Sequence, residues 1–158
     1  MTTIRLTTFI NAPMDRCFDL SRSIQLHLQS TSQTGEKAIA GKTDGLIEQG
    51  ETVTWEAVHF GIRQRLTSTI VDMRRPDYFS DAMVEGAFKS IFHEHHFESH
   101  ENGTLMTDVF VYETPYGLAG ELFDKMILKN YMTSLLAKRN KTIKEAAESD
   151  QWKQILEL

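Results

Sequence analysis

The sequence is short of most features that would commit it to a specialised class. It has one cysteine, Cys17, in 158 residues, so no internal disulfide can form. It has no apolar run long enough to span a bilayer and no apolar block near the N-terminus of the signal-peptide kind. No integral membrane contact is therefore expected, and the cytoplasm is the expected compartment. It has no excess of positive charge: the formal net charge is −5. Neutralising phosphates needs a basic face, so nucleic acid is set aside as a partner. There is no internal repeat and no low-complexity segment. The three prolines, Pro13, Pro76 and Pro115, all fall where elements are expected to break.

What the sequence does have is alternation. Thr3 to Ile10 is rich in β-branched residues and reads as a strand. Asn11 is the expected cap of a helix carrying Met14, Cys17, Phe18 and Leu20. Cys17 reads there as a small buried hydrophobe, not a nucleophile. A second short helix is expected over 23–29, then loops with one short strand near Glu36 to Ala40. Strands follow over 51–59, 62–74, 78–84, 88–99 and 104–113. From Leu118 to Glu148 the pattern turns helical for about eight turns at ~3.6 residues per turn. Leu122, Met126, Ile127, Tyr131, Leu135 and Leu136 form its expected apolar side, and the basic run Lys138, Arg139, Lys141 and Lys144 its solvated face. The reading is α+β with helices segregated to one face of an antiparallel sheet. Residues 1–148 are expected as a single domain, with 149–158 a tail that adds a short helix.

Four of the six histidines fall at 93, 95, 96 and 100. Period two puts His93 and His95 on one strand face with Ile91 and Phe97. A hairpin turning near Gly86 sets Asp81 opposite His93, Phe79 opposite His95 and Met83 opposite Ile91. The next hairpin sets His95 opposite Asp108, His93 opposite Phe110 and Phe97 opposite Met106. Opposed residues have Cβ atoms about 5 Å apart. Asp81, His93, His95 and Asp108 are thus expected as a polar cluster inside an apolar face. Four roles are open to it. It can be a satisfied buried network that fixes register, or an anchor for a mostly apolar ligand. It can also be an acid–base pair, or a metal site, the weakest of the four because His-x-His brings no assured third ligand. No cofactor and no metal are expected.

Three segments resemble a known superfamily. Phe9-Ile10-Asn11-Ala12-Pro13 followed by Cys17-Phe18 is similar to the opening of START/Bet v 1-like (SRPBCC, polyketide cyclase-like) proteins. Gly86-Ala87-Phe88 with His93-Glu94-His95-His96-Phe97, and Gly103 to Asp108 with Tyr112, resemble a bacterial ligand-binding subgroup. The resemblance implies a helix-grip fold, a curved antiparallel sheet wrapped around a long C-terminal helix, and a cavity between them for apolar small molecules. On that reading Trp55, Leu66, Phe79, Met83, Ile91, Phe97, Met106, Phe110, Tyr112, Leu122 and Met126 are the candidate ligand-binding residues. The first functional expectation is binding of a small hydrophobic or amphipathic molecule such as a lipid, polyketide or isoprenoid. The second is a cyclase, dehydratase or isomerase with His93 or His95 as acid–base and Asp81 or Asp108 orienting it. The third is a protein-interaction module with a closed cavity. A homodimer is left open.

Overall fold

The computed structural model describes residues 1–156; residues 157 and 158, the end of the expected tail, lie outside the described residues. Strand β1 (Thr2–Ile10) leads into helices α1 (Met14–Ser21) and α2 (Ile24–Ser30). Strands β2 (Lys37–Gly41), β3 (Thr52–His59), β4 (Ile62–Arg74), β5 (Tyr78–Glu85), β6 (Ser90–His100) and β7 (Gly103–Glu113) follow. The chain then runs through α3 (Gly117–Phe123), a π-helical turn (Asp124–Leu128), α4 (Lys129–Glu148) and α5 (Gln151–Ile155). The described strands make one antiparallel sheet in the order β1-β7-β6-β5-β4-β3-β2. Each strand after β1 pairs with the next in sequence, and β1 returns to pair with β7. The expected α+β order and the long terminal helix are both present.

Alternation explains the sheet. In β7, Thr104, Met106, Asp108, Phe110 and Tyr112 are buried while their neighbours are not, as one face of a strand requires. The β4–β5 pairing shifts register between Thr67 and Ser68 and between Ile70 and Asp72. Extra residues of this kind bend a strand and sharpen its twist, which curves the sheet around the helix. The backbone of α4 comes closest to the sheet along β1.

Two expectations about helices are corrected. Asn11 does not cap α1: Pro13 holds that position with no side-chain cap, and the Asn11 backbone N–H donates to Glu148 Oε2 at 2.8 Å. Proline fixes φ near the helical value, so the helix starts one residue after it. Ser23 does cap α2, its hydroxyl accepting from the Leu26 amide at 3.2 Å.

The second correction concerns the long helix. Its buried line runs through Gly120, Asp124, Leu128, Leu136, Arg139, Asn140, Ile143, Ala146 and Ala147. Leu122, Met126 and Ile127 are exposed. The cause is Asp124, which the hydroxyls of Tyr112 and Thr2 both bond. That attachment draws a carboxylate, not the apolar residues, toward the sheet, and the wider i→i+5 turn of the π-helix accommodates it. Gly120 is required beside it, because a Cβ there would collide with the carbonyl of Pro115.

The core falls into two apolar clusters. One gathers Cys17, Phe18, Leu20, Ile24, Phe79, Phe97, Met106 and Ile143 beneath α1, α2 and the end of α4. The other gathers Ile4, Ile91, Phe110, Tyr112, Leu128 and Leu136 toward the start of the long helix. Helix α5 lies against α1, with the Arg16 guanidinium 3.9 Å from the centre of the Trp152 ring. No described helix is long and apolar enough to cross a membrane.

Candidate functional site

Strands β5, β6 and β7 bring the four expected polar residues together. The pairing sets Asp81 opposite His93, Phe79 opposite His95, His95 opposite Asp108, His93 opposite Phe110 and Phe97 opposite Met106. The β5–β6 pairing ends at Ala82–Phe92, one residue before Met83 and Ile91 would meet. The hydrogen bonds do not follow the pairing. Each carboxylate reaches the imidazole diagonal to it: Asp81 Oδ2 to His95 Nε2 at 2.8 Å, and Asp108 Oδ1 to His93 Nε2 at 2.8 Å. The two imidazoles lie against each other, ring centres 3.8 Å apart. Phe79 stacks on His95 and Phe110 meets His93 edge-on.

The long helix completes the network with two residues the sequence reading placed elsewhere or passed over. Asn140 Nδ2 donates to Asp108 Oδ2 at 2.8 Å. Arg139, read as part of a solvated basic face, is 8% exposed. Its guanidinium donates to Asp108 Oδ1 at 3.4 Å, to Asn140 Oδ1 at 3.0 Å, to the Ser21 carbonyl at 3.2 Å and to His95 Nδ1 at 3.3 Å. A signal was available: Arg139 and Asn140 lie three and four residues from Leu136 and Ile143, on one helix face.

The donors fix the protons. Arg139 has only N–H groups to offer, so His95 Nδ1 accepts and His95 Nε2–H donates to Asp81. Burial, reinforced by the Arg139 guanidinium beside the ring, holds the His95 pKa well below its ordinary value, which keeps the ring neutral. Asp108 behaves oppositely. Burial raises its pKa, but the His93 hydrogen bond and the charge of Arg139 outweigh burial and hold the carboxyl well below the carboxylate range. Burial raises the Asp81 pKa. The site thus pairs a firmly ionised carboxylate at its back with a weaker acid at its front.

Asp81 differs from its neighbours in access. It lies on β5 beneath the helix, yet 23% of its side chain is exposed, against 1% for Asp108 and 4% for His95. Met83, two residues along the same face of β5, is half-buried, as are Leu66 on β4, Trp55 on β3 and Tyr131 and Met132 on α4. Leu66, Met83, Tyr131 and Met132 pack against the second apolar cluster and Trp55 against the first. Ile91 and Phe110 are buried members of that second cluster. Tyr131 bonds His59 Nδ1 at 2.6 Å, and His27 lies against the Trp55 ring while bonding Glu36 at 2.5 Å.

Other candidate ligand-binding residues are elsewhere. Leu122 and Met126 are 59% and 67% exposed, on the side of the helix away from Asp124 and Leu128. Phe79, Phe97 and Met106 are packed with Phe18 in the cluster under α1. Tyr112 is fully buried and its hydroxyl is committed to Asp124, whose charge, added to burial, raises the phenol pKa. Alternation puts Phe97, Met106 and Tyr112 on the right face but carries no information about which end of it α1 covers.

No protein-family model and no curated protein matches the chain. Solved structures do resemble it. TTHA0849 from Thermus thermophilus superposes with a TM-score of 0.72 at 20% identity, over 94% of this chain and 100% of that one. Ginseng major latex-like protein 151 from Panax ginseng gives 0.68 at 18% identity, over 94% and 98%. CV1439 from Chromobacterium violaceum gives 0.69 at 13% identity, over 94% and 98%. These likenesses establish the fold, the helix-grip arrangement of a curved antiparallel sheet around a long C-terminal helix. At such identities they speak of fold alone, and fold does not carry function.

Proposed function

We propose that this protein binds a small apolar or amphipathic molecule in the recess between β3–β5 and α4, with its polar end at Asp81 and His93. The observation that carries the reading is the exposure of Asp81. A carboxylate on the middle strand of the sheet keeps 23% of its side chain exposed, two residues along the same strand face from half-buried Met83. Mostly apolar walls with one or two convergent polar groups are what small-molecule sites use. Apolar contact supplies affinity, at about 25 cal/mol per Å² removed from water, and Asp81 orients the ligand.

Titration with an environment-sensitive apolar fluorophore tests it. Saturable one-to-one binding is expected, weakened about tenfold by Met83→Arg, which puts a charge against an apolar wall. Leu122→Ser, on the outer side of the helix, should leave binding unchanged. Absence of saturable binding, or an effect of Leu122→Ser equal to that of Met83→Arg, would overturn the reading.

One observation favours a second reading, acid–base chemistry of the cyclase, dehydratase or isomerase type. His95 is neutral and its Nε2 proton is shared with the accessible Asp81, the relation of a proton carrier to an orienting carboxylate. Asp81→Asn separates the two. A binding protein changes in affinity alone, whereas an enzyme loses turnover of a bound carbonyl substrate while still holding it.

A further inference from the structure

We propose that Asp81, His93 and His95 form a binding site for a divalent transition-metal ion of the zinc class, open on the side of the recess. One ligand atom from each of the three residues lies within 4.8 Å of the other two. The inference stands on this donor set and not on the ligand reading.

The arrangement behind the donors is what distinguishes it from a chance cluster. A metal-bound imidazole almost always gives its other nitrogen to a carboxylate or carbonyl, which fixes the ring and its tautomer. Here Asp108 backs the His93 ring and stands beside the His95 nitrogen that Arg139 now occupies. Asp108 Oδ1 takes His93 Nε2 at 2.8 Å and stands 3.5 Å from His95 Nδ1. With those nitrogens occupied, His93 Nδ1 and His95 Nε2 are the ones left to bind, and His95 Nε2 already meets Asp81 Oδ2. Asn140 and Arg139 hold Asp108 in turn. The donors are borderline nitrogens with one hard oxygen, which suits zinc, cobalt(II) or iron(II) rather than calcium or magnesium.

Loading balances without an added reagent. The proton on His95 Nε2 passes to His95 Nδ1, which then donates to Asp108 instead of accepting from Arg139. Arg139 keeps its bonds to Asn140, Ser21 and Asp108, so its charge stays paired. Metal–donor bonds of about 2.1 Å bring donors to roughly 3.0–3.4 Å apart. Small side-chain rotations close the present spacing, and Asp81, 23% exposed, is the least confined of the three. Three protein ligands leave further coordination positions for water or substrate, the pattern of a catalytic rather than a structural metal.

The test is cobalt(II) titration of the full chain after chelator treatment. A saturable visible absorption band at one equivalent is expected, with hyperfine-shifted imidazole resonances from two histidines. Asp81→Asn, which preserves shape, should weaken binding at least tenfold, and Asp108→Asn about tenfold through the ring it orients. His96→Ala should change nothing, because His96 is on the opposite face. No band at one equivalent, shifted resonances from His96 or His100, or a folded Asp81→Asn that binds as the parent does would overturn the proposal. The resonances come from the unaltered protein and so decide the matter even where a variant does not fold. Chelated protein that binds the apolar fluorophore but no cobalt removes the metal and keeps the ligand reading. Cobalt binding without fluorophore binding does the reverse.

Discussion

Asp108 and Asn140 meet in the middle of the protein, strand carboxylate and helix amide 2.8 Å apart. The same carboxylate takes His93 and Arg139, so three partners lose a bond when it goes. Asp108→Ala is expected to cost about 3–5 kcal/mol, because it leaves the Arg139 guanidinium buried without its counter-charge. Asp108→Ala combined with Arg139→Leu should recover much of that loss. Urea unfolding of the two variants checks both statements.

Tyr112 anchors the π-turn through Asp124. Tyr112→Phe removes the hydroxyl and leaves a buried carboxylate oxygen short of a donor, at a cost of about 1–3 kcal/mol. Asp124 keeps its bond from Thr2, so the helix start should loosen rather than detach. Faster amide exchange confined to 117–128, with α4 unchanged, is the expected signature in hydrogen-exchange measurements.

Asp19 links α1 to Arg22 and to Arg75 at the β4–β5 turn, with bonds of 2.8 and 2.7 Å. Burial raises its pKa, but the hydrogen bonds and charges of the two guanidiniums outweigh burial, and the folded value lies below the ordinary one. The contribution of this ion pair is therefore complete above about pH 4 and is lost as pH falls through the folded pKa. The stability gap between the parent and Asp19→Asn should be constant from pH 8 to 5 and narrow below about pH 4. Urea midpoints across that range measure it.

Cys17 is fully buried, and burial pushes its thiol up to about 11. The thiolate is the reactive form, so a thiol reagent at pH 8 should leave the folded protein unmodified and label one cysteine at once in denaturant. Rapid labelling of the native chain would show that α1 opens far more readily than its packing on Phe97 and Phe79 allows.

The register of the site was legible because alternation fixes a strand face, and a one-residue slip would have put every apolar partner in water. Asp81, His93, His95 and Asp108 were found that way. The bonding was not legible, since carboxylates long enough to reach a diagonal neighbour are not confined to the residue across from them. Arg139 was hidden by its sequence neighbours. Lys138 and Lys141 are exposed, and a run of like charges reads as one solvated face although helix geometry turns its members to different sides. Leu122 and Met126 misled for the complementary reason. A hydrophobic period names a stripe, but the hydroxyls of Thr2 and Tyr112, far away in sequence, decided which stripe faced inward.

The charged layer of Asp108, Arg139 and Asn140 separates the two apolar clusters, and this division sets how the chain can vary. Substitutions among Leu66, Met83 and Met132 are insulated from the packing of Phe18, Phe97 and Ile143, because the layer between them is held by directional bonds that do not adjust to a neighbour's volume. One half can then serve as a foundation while the other is free to drift, so descendants of this sequence could remodel the side of Leu66, Met83 and Met132 without first acquiring a new way to fold.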